Sequence, residues 1–200
     1  MAEKKSQEPQ SPVKSSPSIE PVKTEPTPWR KMELLAAEAE KWLGVREHGS
    51  NRGKEVEMFQ REVDGKANGE AWCMSFCQFC VAEVDRRLAA EYEVYTKSEI
   101  YRTEHCLTCW NKTGDHLKVR PGAKSIGMMI IWQYFKGGKG TANGHVGIIH
   151  DVLTNGDIIT VEGNTKDRNM VVRDGDGVYL MRRQIQYNGN FRVVGILRPW

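Results

Sequence analysis

The chain has 200 residues, 39% of them hydrophobic and 28% charged, with a formal net charge of +3. That composition is ordinary for one soluble globular domain. The small positive excess does not argue for nucleic acid, although it suits an anionic polymer.

Six of the eight prolines (Pro9, Pro12, Pro17, Pro21, Pro26 and Pro28) fall in the opening stretch, among alternating Lys, Glu and Ser. Such a stretch cannot bury enough apolar surface to offset the entropy of ordering, so residues 1–27 are expected to form a disordered tail ahead of a folded body, 28–200. Two lysines, Lys4 and Lys5, lack an apolar run after them, and synthesis in the cytoplasm without a secretory signal is expected. The longest apolar run, Met128 to Trp132, is too short to span a bilayer, so no membrane insertion is expected. Five cysteines without a disulfide framework suit a reduced pool and a working thiol.

In chain order, Thr27-Pro28 caps a first amphipathic helix carried by Trp29, Met32, Leu35, Ala36, Ala39 and Leu43 and ending near Gly44. A polar loop from Val45 to Gly53 leads to a short second helix marked by Val56, Phe59 and Val63 and closed by Asp64-Gly65. The stretch Gly69 to Cys80 reads as the start of a third helix that is apolar all round, and so is driven into a core, before turning amphipathic from Asp85. The pattern from Tyr92 to Gly122 is irregular, with one helical turn possible at His105 to Trp110. Strands follow at Gly127–Phe135, Gly144–Val152, Asp157–Glu162, Val171–Arg173, Val178–Arg183 and Phe191–Leu197, with Asn155-Gly156 read as a two-residue hairpin. Helices followed by an antiparallel sheet of about five to six strands make an α+β fold.

Cys73 lies in the first turn of the third helix, where free N–H groups and the positive end of the dipole favour thiolate over thiol. A thiolate nucleophile needs a base, and the histidines are His48, His105, His116, His145 and His150. His145 opens a strand beside two small residues, Gly144 and Gly147, which leave room for a helix end. The hairpin register predicts Glu162 roughly opposite Ile149 and Asn164 nearer His145, so Asn164, or Glu162 across a diagonal, is a candidate orienter of the ring. Trp72, Glu47 and Asn51 are candidate substrate-binding residues. Cys77 and Cys80 read as small core residues. Cys106 and Cys109 have redox or metal-ligand spacing without a second pair to complete a site, so neither a metal nor another cofactor is expected.

Three blocks, Glu70-Ala71-Trp72-Cys73, Gly144-His145-Val146-Gly147-Ile148 and Val161-Glu162-Gly163-Asn164-Thr165, together resemble the CHAP family of cysteine, histidine-dependent amidohydrolases and peptidases. The closing Gly195 to Trp200 resembles the last strand of some members. The resemblance implies a papain-like fold with the nucleophile helix packed on the sheet, and peptidoglycan as the usual partner and substrate. It implies Cys73 as nucleophile, His145 as general base and then acid, and Glu162 and Asn164 as orienting groups. An enzyme of this kind acts on the cell wall after release through a pore or a secretion system, as a phage endolysin does, and is expected to be a monomer. Two other readings stay open: a cytosolic amidohydrolase acting on a different amide, and a metal-binding module built on Cys77, Cys80, Cys106 and Cys109.

Overall fold

The computed structural model describes residues 25–93, 95–166, 175–185 and 189–200. Most of the expected tail, the expected strand Val171–Arg173 and Asp174 lie outside the described residues.

Helix α1 (Pro28–Glu40) starts where Thr27 Oγ1 accepts from the Arg30 N–H at 3.2 Å, with Pro28 in its first turn. It ends one turn before Gly44, because Lys41, Trp42 and Leu43 tighten into bonds to the residue three back. Helix α2 (Lys54–Asp64) buries Val56 and Phe59 and is closed by Gly65 in the left-handed conformation at φ 83°. Helix α3 (Cys73–Glu91) is buried on every side from Cys73 through Ala82 and reaches solvent only from Glu83 onward. Helix α4 (Cys106–Lys112) supplies the turn anticipated around His105 to Trp110. No described helix is long and apolar enough to cross a membrane.

The six strands are β1 (Lys118–Val119), β2 (Met129–Lys136), β3 (Lys139–Val152), β4 (Ile158–Thr165), β5 (Gly177–Arg183) and β6 (Phe191–Leu197). Every pairing is antiparallel and the spatial order is β1-β6-β2-β3-β4-β5. Strands β2 to β5 form a meander, and the chain then returns to place β6 on the free side of β2. This is the α+β, papain-like arrangement anticipated from the sequence, with β1 as an addition in the irregular stretch.

One register expectation needs correction. Residues 153–157 form a longer connection, in which the Leu153 N–H reaches the Asp157 carbonyl at 2.9 Å, in place of a two-residue turn. Ile149 consequently pairs with Thr160, and a bulge intervenes before Asp151 pairs with Ile159. The shift from the expected partner, Glu162, is two residues, and a shift of two returns each side chain to the same face. Glu162 therefore keeps the face it was assigned.

The core closes around Phe59 of α2, whose ring lies 5.3 Å from Trp42, 5.8 Å from Trp72, 5.3 Å from Phe76 and 5.0 Å from Phe79. Burying an aromatic ring of this kind stabilises the fold by roughly 1.5–3 kcal/mol. Strand β4 accepts the tip of α3 because Gly163 has no side chain. A Cβ there would sit 2.7 Å from the Trp72 ring and 2.8 Å from Phe76 Cβ. The start of α3 is thus pressed onto the strand that carries Glu162 and Asn164.

Candidate active site

Cys73 is the first residue of α3 and follows Trp72, whose carbonyl accepts the first intrahelical bond, from the Phe76 N–H at 2.9 Å. The N–H groups of the first turn have no partner within the helix, and that of Met74 is directed at the Cys73 sulfur. The segment leading to it is held by polar braces. Glu47 accepts from the Trp72 indole N–H at 2.7 Å through one oxygen and from the Asn51 N–H at 2.9 Å through the other. Asn51, at a positive φ of 53°, donates to the Gly69 carbonyl at 3.1 Å, and Gln60 donates to the Glu70 carbonyl at 2.8 Å. Trp72, Glu47 and Asn51, the candidate substrate-binding residues, brace the approach to Cys73 and are not among the residues lining the cavity at its sulfur. Trp72 is 0% exposed, and Glu47 and Asn51 spend their polar atoms on fixing the approach to Cys73.

His145 projects from β3 into the cavity that Cys73 lines, and the ring and the thiol shift each other's protonation. Its Nε2 meets Glu162 Oε2 at 2.8 Å, which leaves Nδ1 as the ring nitrogen not engaged by the carboxylate. The carboxylate is in turn saturated. Arg183 Nε donates to Oε1 at 2.8 Å, Arg183 Nη2 to Oε2 at 2.6 Å, and Thr160 Oγ1 to Oε1 at 2.6 Å. Gly147 makes this crossing possible, because a Cβ there would stand 2.7 Å from Glu162 Cγ. The small residues beside His145 thus serve different ends: Gly147 admits the carboxylate, and Gly144 admits the tip of α4, with Cys106 Cβ 2.9 Å from where its own Cβ would be. Trp132 stacks on the His145 ring at 6.0 Å, a face that suits a cationic imidazole.

Asn164 reaches the same cavity but no hydrogen bond joins it to His145 among those described. Its backbone sits at a positive φ of 52°, and its buried Oδ1 has no partner. Of the two candidate orienters, the ring is held by Glu162. The remaining histidines take other positions: His48 lies in the loop before α2, its N–H on the Arg52 carbonyl, His116 approaches Glu99, His150 approaches Glu40, and His105 sits at the cavity mouth with its ring largely in solvent.

The charges follow from these contacts. Burial works to raise the Glu162 carboxyl, yet Arg183 and His145 bring it down to about 2. Burial works to lower His145, yet Cys73 and Glu162 raise it to about 9. The Cys106 S–H at 3.6 Å is the largest influence holding the Cys73 thiol well below its ordinary range; burial opposes it, and the His145 ring and the Met74 N–H reinforce it. Cys106 itself is pushed well up, first by that bond and then by burial. The site therefore holds a thiolate against an imidazolium, backed by a carboxylate and a guanidinium, at neutral pH. That arrangement can attack a carbonyl carbon and protonate the departing amine.

Three members of this site had no sequence expectation attached to the chemistry: Arg183, Thr160 and Trp132. Cys106 had been grouped with Cys109, but the structure separates the pair. Cys109 turns to Gln78 Nε2 and Thr113 Oγ1, each at 3.8–3.9 Å, while Cys106 faces Cys73. Burial raises Cys77 and Cys80 well above the ordinary thiol range and Cys109 to about 11. Among the described residues no group of three or more His, Cys, Asp or Glu is arranged to hold a metal ion.

No curated protein and no solved structure matches the chain. The family model for the CHAP domain matches residues 65–164, half of the sequence, and the matched span contains Cys73, His145, Glu162 and Asn164. With that span folded into a helix-borne thiolate set against a strand-borne imidazolium, the chain belongs to the CHAP family and is a cysteine, histidine-dependent amidohydrolase/peptidase.

Proposed function

We propose that the protein hydrolyses an amide bond of peptidoglycan, as an endopeptidase or as an N-acetylmuramoyl-L-alanine amidase, with Cys73 as nucleophile. The observation that carries this reading is the buried line from the Cys73 sulfur through the His145 ring to the Glu162 carboxylate, closed by Arg183. The Cys73 thiolate attacks the amide carbonyl, and the oxyanion is held by N–H groups at the start of α3, that of Cys73 included. The His145 imidazolium protonates the leaving amine. Neutral His145 then takes a proton from water, which hydrolyses the thioester and returns the thiolate. Glu162 stays ionised throughout and fixes the ring's tautomer and direction.

The cavity at the sulfur, about 190 Å³, is lined by polar groups that suit a peptide: Glu70, Glu104, His105, Asn143 and Asn164. The orphaned Oδ1 of Asn164 offers an acceptor for an N–H of the bound substrate. The net charge of +3 favours residence on an anionic wall polymer. In this reading the enzyme reaches the wall through a pore or a secretion system.

Purified cell walls test the proposal. Wild type is expected to release fragments, and Cys73→Ala to release them at least about 1,000-fold more slowly. Mass spectrometry of the fragments assigns the bond: new amino termini on the stem or bridge mark an endopeptidase, and free lactyl groups mark an amidase. Intact walls, with Cys73-dependent hydrolysis of a small amide or a protein glutamine instead, would overturn the proposal in favour of an amidohydrolase with a different substrate.

A further inference from the structure

Two sulfurs occupy the cavity wall where the chemistry needs one. Cys73 Sγ and Cys106 Sγ are 3.6 Å apart, and their residues are only 6% and 5% exposed. Both line the solvent-connected cavity, whereas Cys77, Cys80 and Cys109 do not. A disulfide requires the sulfurs to close to about 2.05 Å, a movement of about 1.5 Å, which is within reach of side-chain rotation. The two thiols are also unequal in the way that an oxidation sequence needs. Cys73 has an imidazole and a backbone N–H to support a negative charge, and Cys106 is set against it as a proton donor.

We propose that this pair is a thiol–disulfide modification site in which Cys73 reacts with a hydroperoxide and Cys106 resolves the product. The inference rests on Cys73 being the nucleophile of the site but not on the identity of the substrate. In the first step the Cys73 thiolate attacks the outer oxygen of the hydroperoxide. The O–O bond breaks, Cys73 becomes a sulfenic acid, and the departing alkoxide or hydroxide takes a proton from the His145 imidazolium. In the second step the Cys106 sulfur attacks Cys73 Sγ. The S–O bond breaks, and hydroxide leaves with the Cys106 proton as water. Two thiols and one hydroperoxide give one disulfide, one alcohol or water from the peroxide, and one further water. The sulfur pair supplies both electrons, and an external dithiol restores it. The enzyme is therefore off where hydroperoxide prevails and on where dithiol does, and Cys73 is shielded from irreversible oxidation.

The test treats the full-length protein with hydrogen peroxide and reads intact mass and thiol alkylation under denaturing conditions. Wild type is expected to become about 2 Da lighter, to lose two alkylatable thiols, and to give a peptide cross-linked between Cys73 and Cys106. Dithiothreitol is expected to restore both thiols and hydrolysis. With Cys106→Ser, the same treatment is expected to add about 32 Da at Cys73 that dithiothreitol does not remove. Wild type that gains about 32 Da at Cys73 while Cys106 stays alkylatable, or that links Cys106 to Cys109, overturns the proposal. Because mass reports the bond directly, the result stands whether or not cell wall is the substrate.

Discussion

Glu162 is the residue on which the charge arrangement turns. It is 0% exposed, and it stays ionised because Arg183, His145 and Thr160 together satisfy its oxygens. Its charge helps to keep His145 protonated up to about 9, so the wild-type rate is expected to hold through neutral pH and to fall as pH rises through that value. Glu162→Gln keeps the shape and removes the charge. The basic limb of kcat/KM is expected to move down by about one unit or more, and the rate at neutral pH to fall about 10- to 100-fold. A basic limb that stays near 9 in Glu162→Gln would show that the carboxylate does not set the ring's charge. Sequence placed Asn164 nearer His145 and Glu162 across a diagonal, both on one face of the strand. What separates them is depth: Glu162 reaches the ring through the gap left at Gly147, and the missing Cβ of a neighbouring strand carries no signal in the sequence of β4.

At the scale of elements, the site is the tip of α3 set against neighbouring strands β3 and β4, which carry His145 and Glu162. The tip was legible as an apolar run beginning beside Cys73, and β3 and β4 as alternating segments with a turn between them. Their contact was not legible, because it depends on Gly163 packing under Trp72 and Phe76. Gly163→Ala is expected to destabilise the fold by about 1–3 kcal/mol through that overlap, and to reduce hydrolysis further by lifting Cys73 away from His145. Urea denaturation and wall-hydrolysis rates at saturating substrate check the two effects. Unchanged stability and rate would mean that the tip is free to adjust. Arg183 was hidden for a related reason. Its place on the face of Glu162 follows only from the register of β5 on β4, which pairs Ile158 with Arg183 and Glu162 with Tyr179. The turn residues between those strands gave no fixed register from sequence, so a long side chain four register positions away was not an evident partner.

At the site, protonation and stability are linked through His145, Cys73 and Glu162, while the raised thiols Cys77, Cys80, Cys106 and Cys109 cost stability only as pH approaches 9.0 and passes it. His145, raised from its ordinary 6.5 to about 9, contributes stability that is full below 6.5 and is lost as pH rises to about 9. Cys73, lowered from 9.0, contributes with the opposite sign, gaining as pH rises toward 9.0. One proton has moved from sulfur to ring, so the two offset each other and the urea midpoint is expected to be nearly flat from 6.5 until the raised thiols begin to cost stability near 9.0. Cys73→Ser removes the offset and also the thiolate that helps to raise His145, so its midpoint is expected to fall over a narrower interval above 6.5, set by Glu162 alone. Glu162, lowered from 4.5 to about 2, adds stability above 4.5 that is lost as pH falls toward 2. A wild-type midpoint that falls steadily from 6.5 to 9 would contradict this balance. The overall α+β layout was readable from periodicity alone, and the family from three short blocks in order, whereas the ionic state of the site came only from side chains that distant strands bring together. The central claim is that state, and the pH dependence of Cys73 alkylation by iodoacetamide, resolved from the other thiols by peptide mass, tests it most directly. A rate that stays on its plateau far below pH 9.0, and loses that plateau in Glu162→Gln, is the result expected; a rate that rises only as an ordinary thiol ionises near 9.0 would contradict the thiolate–imidazolium pair.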